Sequence, residues 1–236
     1  MSYRSPVVGD TKKIGVVVID DEALVRSGFE LILGAAPGIE VLATGDAADA
    51  LDLVVGAKPD VVLLDIRMPG RNGLDVLADI LALPQPPAVA MLTTFDSDDY
   101  IMRALDTGAA GFLVKDTDPE ELPRHIRSLA AGGIVLSPTV GRTVVRGFLG
   151  AARDPSEARK IARLTERERA VLVRVVHGDS NADIAAALFL GTGTVKDHVS
   201  AILSKLEVST RVQAALIAER GGLSAGASTS GGDEPQ

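Results

Sequence analysis

The run VVLLD at residues 61–65 constrains the fold of this chain more than any other stretch. Four apolar residues follow one another without alternation, the pattern of a strand covered on both faces, and the run closes on a carboxylate, Asp65, before the Pro/Gly-rich turn MPGRNG. A strand buried on both faces needs a layer on each side, and a parallel sheet flanked by helices provides them. The segment IGVVVI at 14–19 is a second such run, stopping on Asp20, Asp21 and Glu22, and shorter runs recur at 39–43, 88–93 and 111–114.

Between these runs lie segments of helical spacing, at about 22–33, 47–56, 73–83, 98–107 and 119–131. The last has a complete start signal: Asp118 as N-cap, Pro119 at the first helical position and Glu120-Glu121 in the first turn. Five strand-helix alternations predict an α/β unit, a flavodoxin-like doubly wound sheet of five parallel strands in the order 2-1-3-4-5.

The regularity fades after Gly132-Gly133, and GAARDPSEARK at 150–160 is polar enough for a linker. From Leu164 the pattern is purely helical, with segments at about 166–177, 181–188, 193–206 and 210–220. The expected organisation is a flexible arm at 1–12, an α/β domain at 13–132, a linker with a possible short helix at 133–161, an all-α four-helix domain at 162–223 and a disordered tail at 224–236. With no cysteine in 236 residues, disulfides, thiolate metal sites and thiol nucleophiles are excluded. No apolar run approaches the ~20 residues that span a bilayer and no signal pattern opens the chain, so the expectation is a cytoplasmic protein without a membrane partner. The net charge of −8 conceals an asymmetry: residues 1–158 carry −9, whereas residues 159–220 carry 10 Lys+Arg against 7 Asp+Glu. Any polyanion partner therefore belongs to the C-terminal third.

In a parallel sheet all strand ends point one way, so Asp20-Asp21, Asp65, Thr93-Thr94 and Lys115 converge on one rim. Gathered carboxylates repel one another, and a divalent cation that prefers oxygen, such as Mg²⁺, relieves the repulsion. A carboxylate is also a nucleophile towards phosphorus, with metal and lysine neutralising charge on the transferred group. Singly, each residue is ordinary: acids at strand ends form solvated turns, and Lys115 beside Asp116 reads as a surface lysine. The combination is far less probable by chance.

The segments VIDDEALVRSGFELIL, VVLLDIRMPGRNGLDVL, MLTTFDSDDYIMRAL and GAAGFLVKD resemble the receiver domain of bacterial two-component response regulators over about residues 13–132. The resemblance implies that Asp65 accepts a phosphoryl group from a sensor histidine kinase. It implies further that Asp20, Asp21, Asp65 and the Arg67 carbonyl hold Mg²⁺, that Thr93 and Lys115 contact the phosphoryl group, and that Thr93 and Phe112 form the switch. Many receivers carry Tyr where this chain has Phe112, which removes a hydrogen bond from the inward position.

In the C-terminal third, Val195, Val199, Ile202, Leu203 and Leu206 share one helix face, while Thr194, Lys196, Asp197 and Ser200 line a small polar face suited to a major groove. Spacing alone leaves a generic helical interaction module equally open. LTERE, NADIAAAL and GTVKDHVSAILSKL resemble the LuxR/NarL-type helix-turn-helix over 162–222. That resemblance implies Thr194, Lys196, Asp197 and Ser200 as positions facing double-stranded promoter DNA. It makes Val212, Ala215 and Leu216 of the last helix the contact of a homodimer formed on phosphorylation. Ala201, where the family often has Arg, weakens attraction to phosphates, and the carboxylate of Asp197 either does the same or accepts from a cytosine amino group. The expected function is a phosphorylation-dependent transcriptional regulator, with no enzyme activity beyond its own phosphoryl transfer and dephosphorylation. The alternatives are a regulator that senses a ligand or partner without phosphorylation, and an aspartate-nucleophile hydrolase. Such hydrolases carry a second acid two residues after the nucleophile, where this chain has Arg67.

Overall fold

In a computed structural model of the chain, the described residues are 13–94, 98–138, 140–141 and 154–223. The expected arm at 1–12, the tail at 224–236 and most of the expected short helix in 134–149 lie outside them. Five strands alternate with five helices: β1 (Ile14–Ile19), α1 (Ala23–Gly34), β2 (Ile39–Gly45), α2 (Ala50–Ala57), β3 (Val61–Asp65), α3 (Gly73–Leu81), β4 (Ala88–Thr93), α4 (Asp98–Thr107), β5 (Gly111–Val114) and α5 (Leu122–Ala130). A two-residue strand, β6 (Val135–Leu136), follows.

All pairings are parallel and the order is 2-1-3-4-5-6. The expected order holds for the first five strands, but the sheet has six, not five. Val135 and Leu136 pair with Gly111 and Phe112 at the sheet edge, and a two-residue strand is too short to leave a periodic signal.

Side-chain alternation along each strand splits the α/β core into two layers. Val17, Ile19, Val62, Leu64, Met91 and Phe112 face α2, α3 and α4, while Val16, Val18, Val61, Leu63, Ala90, Leu92 and Leu113 face α1 and α5. Every residue of β3 is buried, as the unbroken apolar run requires. One boundary differs from expectation: α5 begins at Leu122, because Asp118 caps a preceding turn, its Oδ1 accepting from the Glu120 N–H at 2.9 Å.

The polar segment read as linker contains a helix, α6 (Pro155–Ala162), with Asp154 accepting from the Ser156 N–H and Pro155 in its first turn. Its Ile161 is buried with the residues of α7 (Glu166–Val176), α8 (Asn181–Leu188), α9 (Thr192–Leu206) and α10 (Arg211–Arg220). Capping boxes start three of these helices, Thr165 with Glu168, Ser180 with Asp183 and Thr210 with Gln213. Helix α10 is shared between two cores. Ala214, Ile217 and Ala218 pack within the helical domain, whereas Val212 and Leu216 join the layer of the α/β core that holds Ile101, Ala104 and Leu105 of α4.

Candidate functional site

The carboxyl-terminal rim of the sheet brings together Asp20, Asp21 and Asp65, whose carboxylate oxygens lie within 4.8 Å of one another. Parallel register does this: β1 and β3 are neighbours paired from Val16–Val61 to Ile19–Leu64, so both strands end at one level. Asp20 is fully buried and Asp65 nearly so, while Asp21 is exposed. Lys115, at the end of β5, lies 2.9 Å from Asp20 Oδ2, 3.1 Å from Asp65 Oδ2 and 3.1 Å from Glu22 Oε1. Its main-chain N–H donates to the Thr93 carbonyl at 2.9 Å, tying it to the end of β4, where Thr93 is buried. Phe112 is also buried, its ring inside the core layer that contains Met91 and Val140.

Burial pushes the Asp65 carboxyl above its ordinary value, and the neighbouring Asp20 charge pushes it further. Lys115 and the Arg67 main-chain N–H, which donates to it, pull the other way without prevailing. For Lys115, burial alone lowers the ammonium pKa, but hydrogen bonds to Asp20, Glu22 and Asp65 override this and raise it. Three carboxylates around one lysine leave an excess of negative charge, and all the donors are hard oxygens. The set fits a divalent cation such as Mg²⁺.

Two supporting residues escaped the sequence reading. Arg26 Nη1, one turn into α1, donates to the Asp20 carbonyl at 2.6 Å, and Glu22 supplies both the third acceptor for Lys115 and an N–H to Asp20 Oδ1 at 2.9 Å. The only signal for Arg26 is the tendency of helical side chains to reach back towards the helix start. Gly73 is required where α3 passes under the site, because a Cβ there would stand 2.1 Å from the Asp65 carbonyl oxygen. Beside the rim, a cleft of about 450 Å³ is lined by Asp21, Arg67, Arg71, Asn72 and Tyr100 among others, and the Arg67 guanidinium lies 5.8 Å from the centre of the Tyr100 ring.

In the helical domain, Val195, Ile202 and Leu206 of α9 are buried, and Thr194, Lys196, Asp197 and Ser200 are exposed on the opposite face. Gly191 opens α9 without a side-chain cap, and such a helix start suits a phosphate. Of the residues expected at a dimer contact, Val212 and Leu216 are covered by the α/β domain and Ala215 is half-buried.

Residues 16–127 match the family described as the response regulator receiver domain, and residues 162–218 match the bacterial regulatory proteins of the luxR family. Over 216 residues the chain is 38% identical to the uncharacterized transcriptional regulatory protein YxjL of Bacillus subtilis, covering 89% of this chain and 97% of that protein. It is 39% identical over 204 residues to the nitrate/nitrite response regulator protein NarP of Escherichia coli, covering 86% and 93%. A solved LuxR-family response regulator from Aurantimonas sp. aligns with a TM-score of 0.54 at 26% identity, over 58% of this chain and 99% of that one. A structure of two RcsB dimers bound to two parallel DNAs aligns with a TM-score of 0.51 at 21% identity, over 88% and 97%, a likeness of fold.

Proposed function

Since the chain belongs to the LuxR/NarL-type response regulators, transcriptional regulators with a receiver domain and a DNA-binding helix-turn-helix, we propose that it works as a phosphorylation-dependent switch. Asp65 accepts a phosphoryl group from a sensor histidine kinase: a carboxylate oxygen attacks phosphorus, the P–N bond to the donor histidine breaks, and the ring nitrogen keeps the electron pair. The observation that carries this reading is the approach of Lys115 to both Asp65 and Asp20, at 3.1 and 2.9 Å, within an acidic cluster. The raised Asp65 pKa accords with a buried carboxylate awaiting a counter-charge. Asp20, Asp21, Asp65 and the Arg67 carbonyl would hold Mg²⁺, which when bound offsets negative charge on the transferred group.

Lys115 pairs with the phosphoryl oxygens, and Thr93 turns its hydroxyl towards them with Phe112 held inside. The acyl phosphate then decays by attack of water on phosphorus, so the chain acts as an enzyme on itself alone. Thr194, Lys196, Asp197 and Ser200 face the major groove of promoter DNA, and two copies pair through α10 to read two half-sites. No described helix is long and apolar enough to cross a membrane, in keeping with a regulator working in the cytoplasm. Electrophoresis in a phosphate-binding gel, after treatment with phosphoramidate and Mg²⁺, should retard the wild type and leave Asp65→Ala unshifted. Equal mobility of the two proteins after treatment, shifted or not, rejects Asp65 as the acceptor.

A further inference from the structure

The loop after β3 is fastened at its α3 end. The Gly73 N–H donates to the Ile66 carbonyl at 3.0 Å, Asn72 Oδ1 accepts from the Leu74 N–H at 3.0 Å, and Arg71 is paired with Asp79 of α3. At its β3 end, Ile66 and Met68 are buried in the core layer that faces α2, α3 and α4, while Arg67 between them is exposed.

The main chain and side chain of Arg67 meet different partners. Its N–H donates to the Asp65 carboxylate, so its peptide borders the acidic cluster. Its guanidinium lies 5.8 Å from the centre of the Tyr100 ring in the first turn of α4, and the Arg103 guanidinium, one turn further along that helix, lies 5.8 Å from the same ring. The ring thus takes one cation from its own helix and one from the loop. Tyr100 is half-buried and packs against the core layer that holds Met68, Ile101 and Leu105. The core holds the ring, and the ring's negative face then holds the exposed guanidinium. Tyr100, Arg67 and Asp21 line one cleft beside the rim, which places this stack next to the acidic cluster.

An exposed arginine left to itself samples many rotamers, and a loop peptide that carries it has correspondingly more freedom. Mg²⁺ demands near-ideal octahedral geometry, so a main-chain ligand on a loop binds better when its orientation is set in advance. We propose that Tyr100 is a positioning residue for the metal site. By stacking on the Arg67 guanidinium it sets the Arg67 peptide, whose carbonyl, on the reading above, is a Mg²⁺ ligand. This adds to phosphoryl transfer a residue of α4 that lies outside the three carboxylates and outside the pair of Thr93 and Phe112. Coupling between two sites is reciprocal, so Mg²⁺ steadies the first turn of α4 by the factor with which Tyr100 tightens Mg²⁺.

The test is a titration of the full chain with Mg²⁺ alone, followed by amide chemical shifts. Tyr100→Leu keeps an apolar side chain on the core and removes the aromatic face; it should weaken Mg²⁺ about threefold, the size of a cation–π contact at an exposed site. Tyr100→Phe keeps the ring and should bind as wild type does. Arg67→Ala retains the carbonyl and should match Tyr100→Leu, and the double variant should be no weaker than either single, since both act through one contact. Wild-type affinity in Tyr100→Leu overturns the positioning role, and so does a double variant weakened by the product of the singles. A Tyr100→Phe variant as weak as Tyr100→Leu also overturns it, because the hydroxyl and not the ring would then act. Arg67 is exposed, so Arg67→Ala carries the test even if Tyr100→Leu fails to fold, and wild-type affinity there is equally fatal.

Mg²⁺ should also slow hydrogen exchange in the first turns of α4 about threefold in the wild type and not in Tyr100→Leu. Equal slowing in both overturns the coupling. A wild type that binds no Mg²⁺ at millimolar concentration removes the metal reading and the positioning role together. If the wild type binds Mg²⁺ and takes phosphate from phosphoramidate on Asp65, and Tyr100→Leu and Arg67→Ala bind Mg²⁺ as it does, the positioning role alone falls. If the variants lose affinity as expected while no protein is phosphorylated, the positioning role stands and the phosphorylation reading falls.

Discussion

Lys115 Nζ lies 3.1 Å from Asp65 Oδ2 and 2.9 Å from Asp20 Oδ2, so one ammonium group bridges two buried carboxylates. Burial first, and then the neighbouring Asp20 charge, push the Asp65 carboxyl above its ordinary value, and the single ammonium group does not offset them.

Replacing Asp65 by Asn should therefore stabilise the metal-free protein. A folded pKa above the unfolded one means that the ionised form is penalised in the fold. The penalty is fully present above the folded pKa and disappears as pH falls below the unfolded value. Thermal melts in chelator should place Asp65→Asn about 1 kcal/mol above wild type at pH 7, converging near pH 3–4. A variant no more stable than wild type at pH 7 contradicts the electrostatic account.

In the helical domain the sign is opposite. Both carboxylate oxygens of Glu168 accept from Lys205 Nζ, at 2.8 and 2.7 Å. Burial by itself raises the Glu168 pKa, but Lys205 and Thr165 override it, and the net shift is downward. The pair's contribution is complete above the unfolded glutamate value of about 4.3 and is lost as pH falls through the lower folded value. Glu168→Gln retains an acceptor for the capping box and should cost about 1–2 kcal/mol at pH 7 by denaturant unfolding. The same variant should have a flatter acid limb below pH 5; an unchanged limb rejects the assignment.

Phe189 closes α8 in the left-handed region, at φ 53°, and 95% of its surface is exposed. An aromatic residue gains no burial there and bears the backbone cost that Gly or Asn avoids. Phe189→Asn should raise stability by about 0.5–1 kcal/mol with the fold unchanged. A loss of stability would show that the ring has a contact in solution.

Lys196 is exposed on the polar side of α9, the side proposed to face DNA. If it meets a phosphate, Lys196→Ala should weaken duplex binding across sequences and lower the log–log salt slope by about 1. If instead affinity falls for one selected site and the salt slope is unchanged, Lys196 reads a base.

The acidic site was legible because each part is a local signal with a fixed consequence. An apolar run closing on Asp20 or Asp65 marks where a buried strand reaches solvent, and parallel topology then forces such ends together. Thr93 and Lys115 follow from the same rule. The helix at 155–162 was missed because its charged surface masks the single buried residue, Ile161, that holds it in place.

By itself, then, the sequence determined the strand order of β1 to β5, the gathering of Asp20, Asp21, Asp65 and Lys115 on one rim and the order of the C-terminal helices, all products of short-range periodicity and chain topology. Only the tertiary structure decided where α10 belongs. Val212, Ala214, Leu216, Ile217 and Ala218 are all buried, so the helix is apolar on nearly every side, and such a pattern specifies burial without naming the neighbours. Which core takes Val212 and Leu216 depends on two separately folded surfaces meeting, with Gly108 giving the clearance and Arg211 giving up part of its hydration. Those are properties of a contact between distant segments, and no local pattern encodes them.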